Sequence, residues 1–222
     1  MGNAIIFDAD GILLLSTEPG IKGLQSAAVR CGLEKPSFQQ IKNLWGQNLV
    51  KIMDTLSSKM GWTKEQGDEV LHLFIKMSQT EIFYPEQPAL VLMLSQLRKR
   101  GFRLGVVSNR DYESLAFRFE QHRIPFDFFE HVHTAVNGNP QKPDPAVFNR
   151  FTELGFNPRS TLVVGDSVND DLAAALAHQP VFKFAGVISG VSSRLDFMRA
   201  GLPTSRIFKS VSEIPAALHY LF

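Results

Sequence analysis

The chain has 222 residues, 44% hydrophobic and 20% charged, with 23 Lys and Arg against 22 Asp and Glu for a formal charge of +1. That length buries a full apolar core without a disulfide or metal staple, and the near-neutral balance gives no electrostatic reason for nucleic acid or an anionic membrane as partner. The single cysteine, Cys31, excludes an internal disulfide, fits a reducing cytosol, and reads as a small apolar residue on a helix rather than a nucleophile.

The chain reaches the apolar run Ala4-Ile5-Ile6-Phe7 within three residues and then meets Asp8. This is neither the basic start nor the hydrophobic length of a signal peptide, no stretch approaches a membrane span, and a cytoplasmic location is expected. Similar short apolar runs recur at 103–107 and 161–164, with weaker ones at 131–135 and 180–185, separated by segments of helical spacing. That rhythm predicts an α/β fold with a parallel sheet flanked by helices. The three clear runs end in Asp8, Ser108-Asn109 and Gly165-Asp166-Ser167. In an open α/β sheet these strand ends converge on one crevice.

Residues 15–84 far exceed one crossover and are helical in pattern, which predicts an all-helical insertion between the first two strands. Ser37 with Gln40 and Thr63 with Gln66 have capping-box spacing. Ile41, Leu44, Trp45, Leu49, Ile52 and Leu56 form an apolar stripe expected on one helix face, although Gly46-Gln47-Asn48 interrupts it. Pro85 and Pro88 mark the return to the core, and Pro88 suits the first turn of a helix running to Gly101.

Asp8-Ala9-Asp10-Gly11 puts two carboxylates on one side of an extended chain, with a turn at Gly11 to aim them into the crevice. Two such acids ask for a hard cation, magnesium. Asp166 and Asp170 follow another strand, one in the loop and one near a first helical turn, where Ser167, Asn169, Asp170 and Asp171 are also good helix starters. Ser108 and Asn109 offer donors to phosphate oxygens. Lys142, before Pro143-Asp144-Pro145, is placed to steady a nucleophile and a transferring group.

The order Asp8-x-Asp10, Ser108, Lys142, Gly165-Asp166-Ser167-x-x-Asp170 resembles the four motifs of the haloacid dehalogenase-like superfamily. Ile12 stands where that family usually has threonine or valine. The resemblance implies a Rossmann-like core (1–14 and 85–222) with a helical cap (15–84), and a hydrolase that acts on a small-molecule phosphate ester. By motif, Asp8 is the nucleophile and binds magnesium. Asp10 is the general acid and base, and its carbonyl reaches the metal. Ser108 and Lys142 bind the phosphoryl group, Asp166 ligates the metal, and Asp170 holds the metal or its waters. An aspartate at position 10 favours a phosphatase over a dehalogenase, which has no leaving alcohol to protonate. A phosphomutase of the same chemistry and an inactive phosphate-binding module are the alternatives. Trp45, Gln47 and Asn48 are candidates for leaving-group contacts, with cap packing and solvent exposure as the competing reading. His131 and His133 read as core or edge packing. Gly186-Val187-Ile188-Ser189-Gly190 is similar to phosphoglycolate phosphatase-like members.

Overall fold

The fold is a three-layer α/β/α sandwich, seen in a computed structural model that describes residues 2–135 and 138–222. Its sheet is built on β1 (Ala4–Phe7), four apolar residues buried on both faces. Such a two-sided apolar strand suits the middle of a parallel sheet. It pairs with β2 (Arg103–Val107) on one side and with β4 (Thr161–Gly165) on the other, all parallel. The sheet continues outward through β3 (His131–His133), β5 (Lys183–Val187) and β6 (Ile207–Phe208), in the order β3-β2-β1-β4-β5-β6.

Side-chain alternation along a strand assigns the two faces. Ile5, Phe7, Leu104, Val106, Leu162 and Val164 join one buried cluster, which takes in α5 (Leu90–Lys99), α6 (Tyr112–Gln121) and α10 (Ile214–Leu221). Ala4, Ile6, Val107 and Val163 join the other, with Phe148, α7 (Asn149–Glu153), α8 (Ala173–Ala177) and α9 (Arg194–Arg199).

Between β1 and β2 the chain forms α1 (Thr17–Arg30), α2 (Phe38–Lys42), α3 (Leu49–Met60) and α4 (Lys64–Thr80). Both predicted capping boxes form, Ser37 with Gln40 and Thr63 with Gln66. The stripe read as one helix is split. Gly46 adopts φ +101°, and Asn48 turns its carboxamide oxygen onto the Val50 N–H at 2.9 Å, so a new helix starts there. Cys31 caps the end of α1 and is half-buried. The run at 180–185 shifts to Lys183–Val187 because Pro180 has no N–H to give the ladder. Pro88 lies in the turn before α5, and the helix stop falls at Gly101, with φ +83°.

Gly105 faces the second cluster, where a Cβ would overlap the Phe151 ring. Gly105→Ala is therefore expected to destabilise the chain by about 1–3 kcal/mol in denaturant melts, the usual cost of overpacking. Phe151→Leu in the same chain should recover part of that loss. A neutral Gly105→Ala would refute this account of the packing.

Candidate active site

Three strands end at one edge of the sheet, and their following loops close around Lys142. Asp8 continues the ladder of β1, its N–H donating to the Val164 carbonyl at 2.8 Å, which directs its side chain out of the strand end. The Lys142 ammonium lies 2.6 Å from Asp8 Oδ1 and 2.6 Å from Asp171 Oδ1. It is also 3.3 Å from the Val107 carbonyl at the end of β2. All three charged groups are buried. Asp171 reads in the sequence only as a helix starter, not as a site residue. It arrives through a widened π-type turn over Val168–Leu172, a geometry that inserts a residue into the helical register and is frequent at functional sites. Gly165 makes room for it, since a Cβ there would overlap the Asp171 carboxylate. The second Asp171 oxygen accepts the N–H groups of Asp166 and Ser167, both at 3.0 Å.

The carboxylates of Asp8, Asp166 and Asp171 offer oxygens that all lie within 4.8 Å of one another. Burial pushes the Asp8 carboxyl up to about 8; Lys142 opposes this, and the charges of Asp171 and Asp10 add to it. Burial, Asp171 and Asp8 likewise raise Asp166. Three acids meet beside one lysine that pairs with only two of them, so the pocket carries excess negative potential. Hard oxygen donors under that potential fit Mg2+, which neutralises them without needing nitrogen or sulfur. The predicted Asp170 lines the same crevice but lies outside this group of three: its Oδ2 accepts the Ser167 hydroxyl at 2.7 Å, and it sits beside Gly46. His131 and His133 stay outside the carboxylate group. His131 packs edge-on against Phe151, and His133 Nε2 pairs with the Pro140 carbonyl at 2.8 Å.

Asp10 is held separately. Its Oδ1 accepts from Ser16 Oγ and Arg110 Nη2, each at 2.5 Å, and its Oδ2 from Arg110 Nε at 3.1 Å. Burial alone would raise its pKa. The Arg110 charge, its hydrogen bonds and that of Ser16 outweigh burial and leave the carboxyl below its ordinary range. Arg110 also reaches the Tyr84 and Ser114 hydroxyls at 3.3 and 2.8 Å. Sequence reasoning missed Arg110, although its position directly after Ser108-Asn109 was the available signal.

Ser108 is buried, its Oγ accepts the Arg110 N–H at 3.1 Å, and its own proton is free to donate into the crevice. Asn109 is committed to structure. Its Oδ1 accepts the Lys142 N–H at 2.8 Å, while its Nδ2 donates to the carbonyls of Lys142 and Gly46, both at 3.0 Å. It ties the Lys142 loop to Gly46, and both faces of its amide are used. The turn after β5 closes the far side: Val191 N–H donates to Asp166 Oδ2 at 2.6 Å, and the Ser189 hydroxyl to the Gly11 carbonyl at 2.5 Å. Gly190 is required there, because any Cβ would overlap Asp166. Trp45, Gln47 and Asn48 line the crevice from the cap side. Trp45 rests against Gly20 and meets Phe74 edge-on, and Asn48 also spends its carboxamide oxygen on capping α3.

The family described as haloacid dehalogenase-like hydrolase matches residues 5–183. A pyrophosphatase of Bacillus pumilus is 25% identical over 203 residues, 88% of this chain and 91% of that one. A phosphoglycolate phosphatase of Vibrio cholerae is 30% identical over 184 residues, 77% of this chain and 78% of that one. The structure of a HAD family hydrolase from Deinococcus radiodurans with bound phosphate and sodium superposes with a TM-score of 0.71 at 21% identity, covering 99% of this chain and 96% of that one. No helix among the described residues is long and apolar enough to cross a membrane. With its strand-end acids, its lysine and this match over most of its length, the chain belongs to the haloacid dehalogenase-like hydrolase family.

Proposed function

We propose that the chain is a magnesium-dependent phosphatase that hydrolyses a small-molecule phosphomonoester through an aspartyl-phosphate on Asp8. The observation that carries this reading is the meeting of Asp8, Asp166, Asp171 and Lys142 at one sheet edge. The phosphatases among its relatives support it. The carboxylates of Asp8, Asp166 and Asp171 would hold Mg2+, which when bound neutralises phosphoryl oxygens that would otherwise repel an attacking carboxylate. Asp170, expected by motif to serve the metal, instead braces Ser167 in this reading.

Lys142 fixes the orientation of Asp8 through Oδ1, which leaves Oδ2 to attack phosphorus. The Ser108 hydroxyl donates to a phosphoryl oxygen. Asp10 protonates the departing alcohol and later takes a proton from the water that cleaves the aspartyl-phosphate. Its pairing with Arg110 suits the second task, since the carboxylate is kept ionised. For the first task Arg110 must release one Asp10 oxygen so that a proton can sit there.

Asp8→Asn is expected to lower magnesium-dependent hydrolysis of p-nitrophenyl phosphate by about a thousandfold or more, as loss of a covalent nucleophile does. Undiminished turnover in that variant would end the nucleophile assignment. In calorimetric Mg2+ titrations, Asp171→Asn should weaken binding by roughly ten- to a hundredfold, the scale of loss seen when a metal site is disturbed. Asp170→Asn should have a smaller effect, and the reverse order would return the metal role to Asp170. In Arg110→Met the burial of Asp10 is opposed only by the Ser16 hydrogen bond and the Lys142 charge, so its carboxyl pKa should rise. A carboxyl-carbon NMR titration reads this directly, and an unmoved midpoint would show that Arg110 does not set the ionisation of Asp10.

A further inference from the structure

A cavity of about 510 Å3 lies between the cap helices and the sheet edge, with Asp8 and Lys142 among its lining residues. A space of that size accepts a ligand much larger than a two-carbon acid. The cap side of its wall carries an apolar stretch, with Leu49 and Val50 from α3 and Leu71, Phe74 and Ile75 from α4, flanked by the uncharged polar side chains of Gln47, Asn48, Ser78 and Gln79. Phe74 meets Trp45 edge-on, with ring centroids 6.5 Å apart. Val50 is 56% exposed and Ile75 45%, whereas Ile52, Met53 and Leu56 of α3 and Val70, Phe74 and Met77 of α4 are buried. Two aliphatic side chains are thus presented to the cavity.

Charge sharpens the picture. Among the described residues that line this cavity, the cations are Lys142, Arg110 and Arg118. Lys142 is held by Asp8 and Asp171, and Arg110 by Asp10. Arg118, itself buried, donates to the carbonyls of Ser78 and Ile82 and to Gln121. Among the described residues of this wall the cap contributes no cation; its Lys51 lines an adjoining cavity of about 220 Å3 that shares Gln47, Asn48, Lys142 and Asp170 with this one, on the side away from α4. At the start of α6, Asp111 and Glu113 add negative charge. A substrate with a second anionic group would therefore bury that group without a counter-ion, which is costly.

Resting on the phosphatase reading, we propose that the alcohol portion of the ester is uncharged and mainly apolar, and packs against the Trp45–Phe74 pair and Ile75. Phosphorylated compounds whose second group is anionic, the ester phosphoglycolate and the anhydride pyrophosphate among them, are poor substrates. The test compares kcat/KM for 2-phenylethyl phosphate, ethyl phosphate and phosphoglycolate with Mg2+, using Asp8→Asn as the blank. All three release a primary alcohol, so the comparison reads the pocket rather than the leaving group.

The phenylethyl ester is expected to exceed the ethyl ester by about tenfold or more, as added apolar contact in a fitted pocket does, with phosphoglycolate lowest. Ile75→Lys, at a partly exposed position, should lower the phenylethyl value several-fold and raise that for phosphoglycolate. Phosphoglycolate turned over best by the unmodified chain, in an Asp8-dependent way, overturns the apolar assignment and leaves the phosphatase reading intact. An unchanged substrate ratio in both Ile75→Lys and Val50→Lys overturns the role of this wall. No Asp8-dependent turnover of any ester overturns both readings.

Discussion

One buried ammonium organises the active edge of this molecule. Lys142 stands between Asp8 at the end of β1 and Asp171 in the turn after β4, having come from the loop beyond β3. An ion cluster so far from water survives only if every partner is held in place, because removing either sign leaves an uncompensated charge. The fold supplies the fixtures. Asn109 grips the Lys142 main chain on both its N–H and its carbonyl side, Asp171 is pinned by two backbone N–H groups, and Gly165 leaves the space Asp171 needs. The excess of carboxylate over lysine is what makes the place suited to a divalent cation, so a feature that costs folding energy is also the one that prepares the chemistry.

The cap is coupled to that edge by few polar links and much apolar contact. The Asn109 amide reaches the Gly46 carbonyl and Arg118 donates to the Ser78 carbonyl of α4, while within the core Gln87 ties the returning chain to the carbonyls of Ile12 and Leu13. A continuous buried cluster runs from the sheet through Ile12, Leu14, Ile21 and Leu24 to Trp45 and Phe74. The cavity wall is the unfinished margin of that cluster. The same apolar packing that seats the cap thus supplies part of the crevice surface, while the charged groups that line it stay on the core side.

Much of the architecture was legible because it rests on local rules. Continuous apolar runs ended by Asp8, Ser108 and Asp166 announce parallel strands with a shared crevice, and Ser37–Gln40 and Thr63–Gln66 announce helix starts, since capping is decided within four residues. What was not legible depended on register or reach. Asp170 and Asp171 are adjacent acids, and a regular helical turn would have favoured the first; the π-type turn rotates the second onto Lys142. Arg110 contacts Asp10 across 100 positions of sequence. Asn109 reads as a source of a backbone donor, and that its side-chain amide braces Lys142 and Gly46 shows only once the three are brought together. β6 is only two residues long, too short for any periodicity to show.

The amino-acid sequence by itself determined the parallel sheet, the inserted helical segment, and the types of residue at the strand ends, because those follow from short-range patterns of apolar and capping side chains. Only the tertiary structure decided which carboxylates share the lysine, which acid is paired with Arg110, and what kind of surface the cap turns toward the crevice. Such choices depend on distances of a few ångströms between groups far apart in the chain, and on the burial that makes each unpaired charge costly.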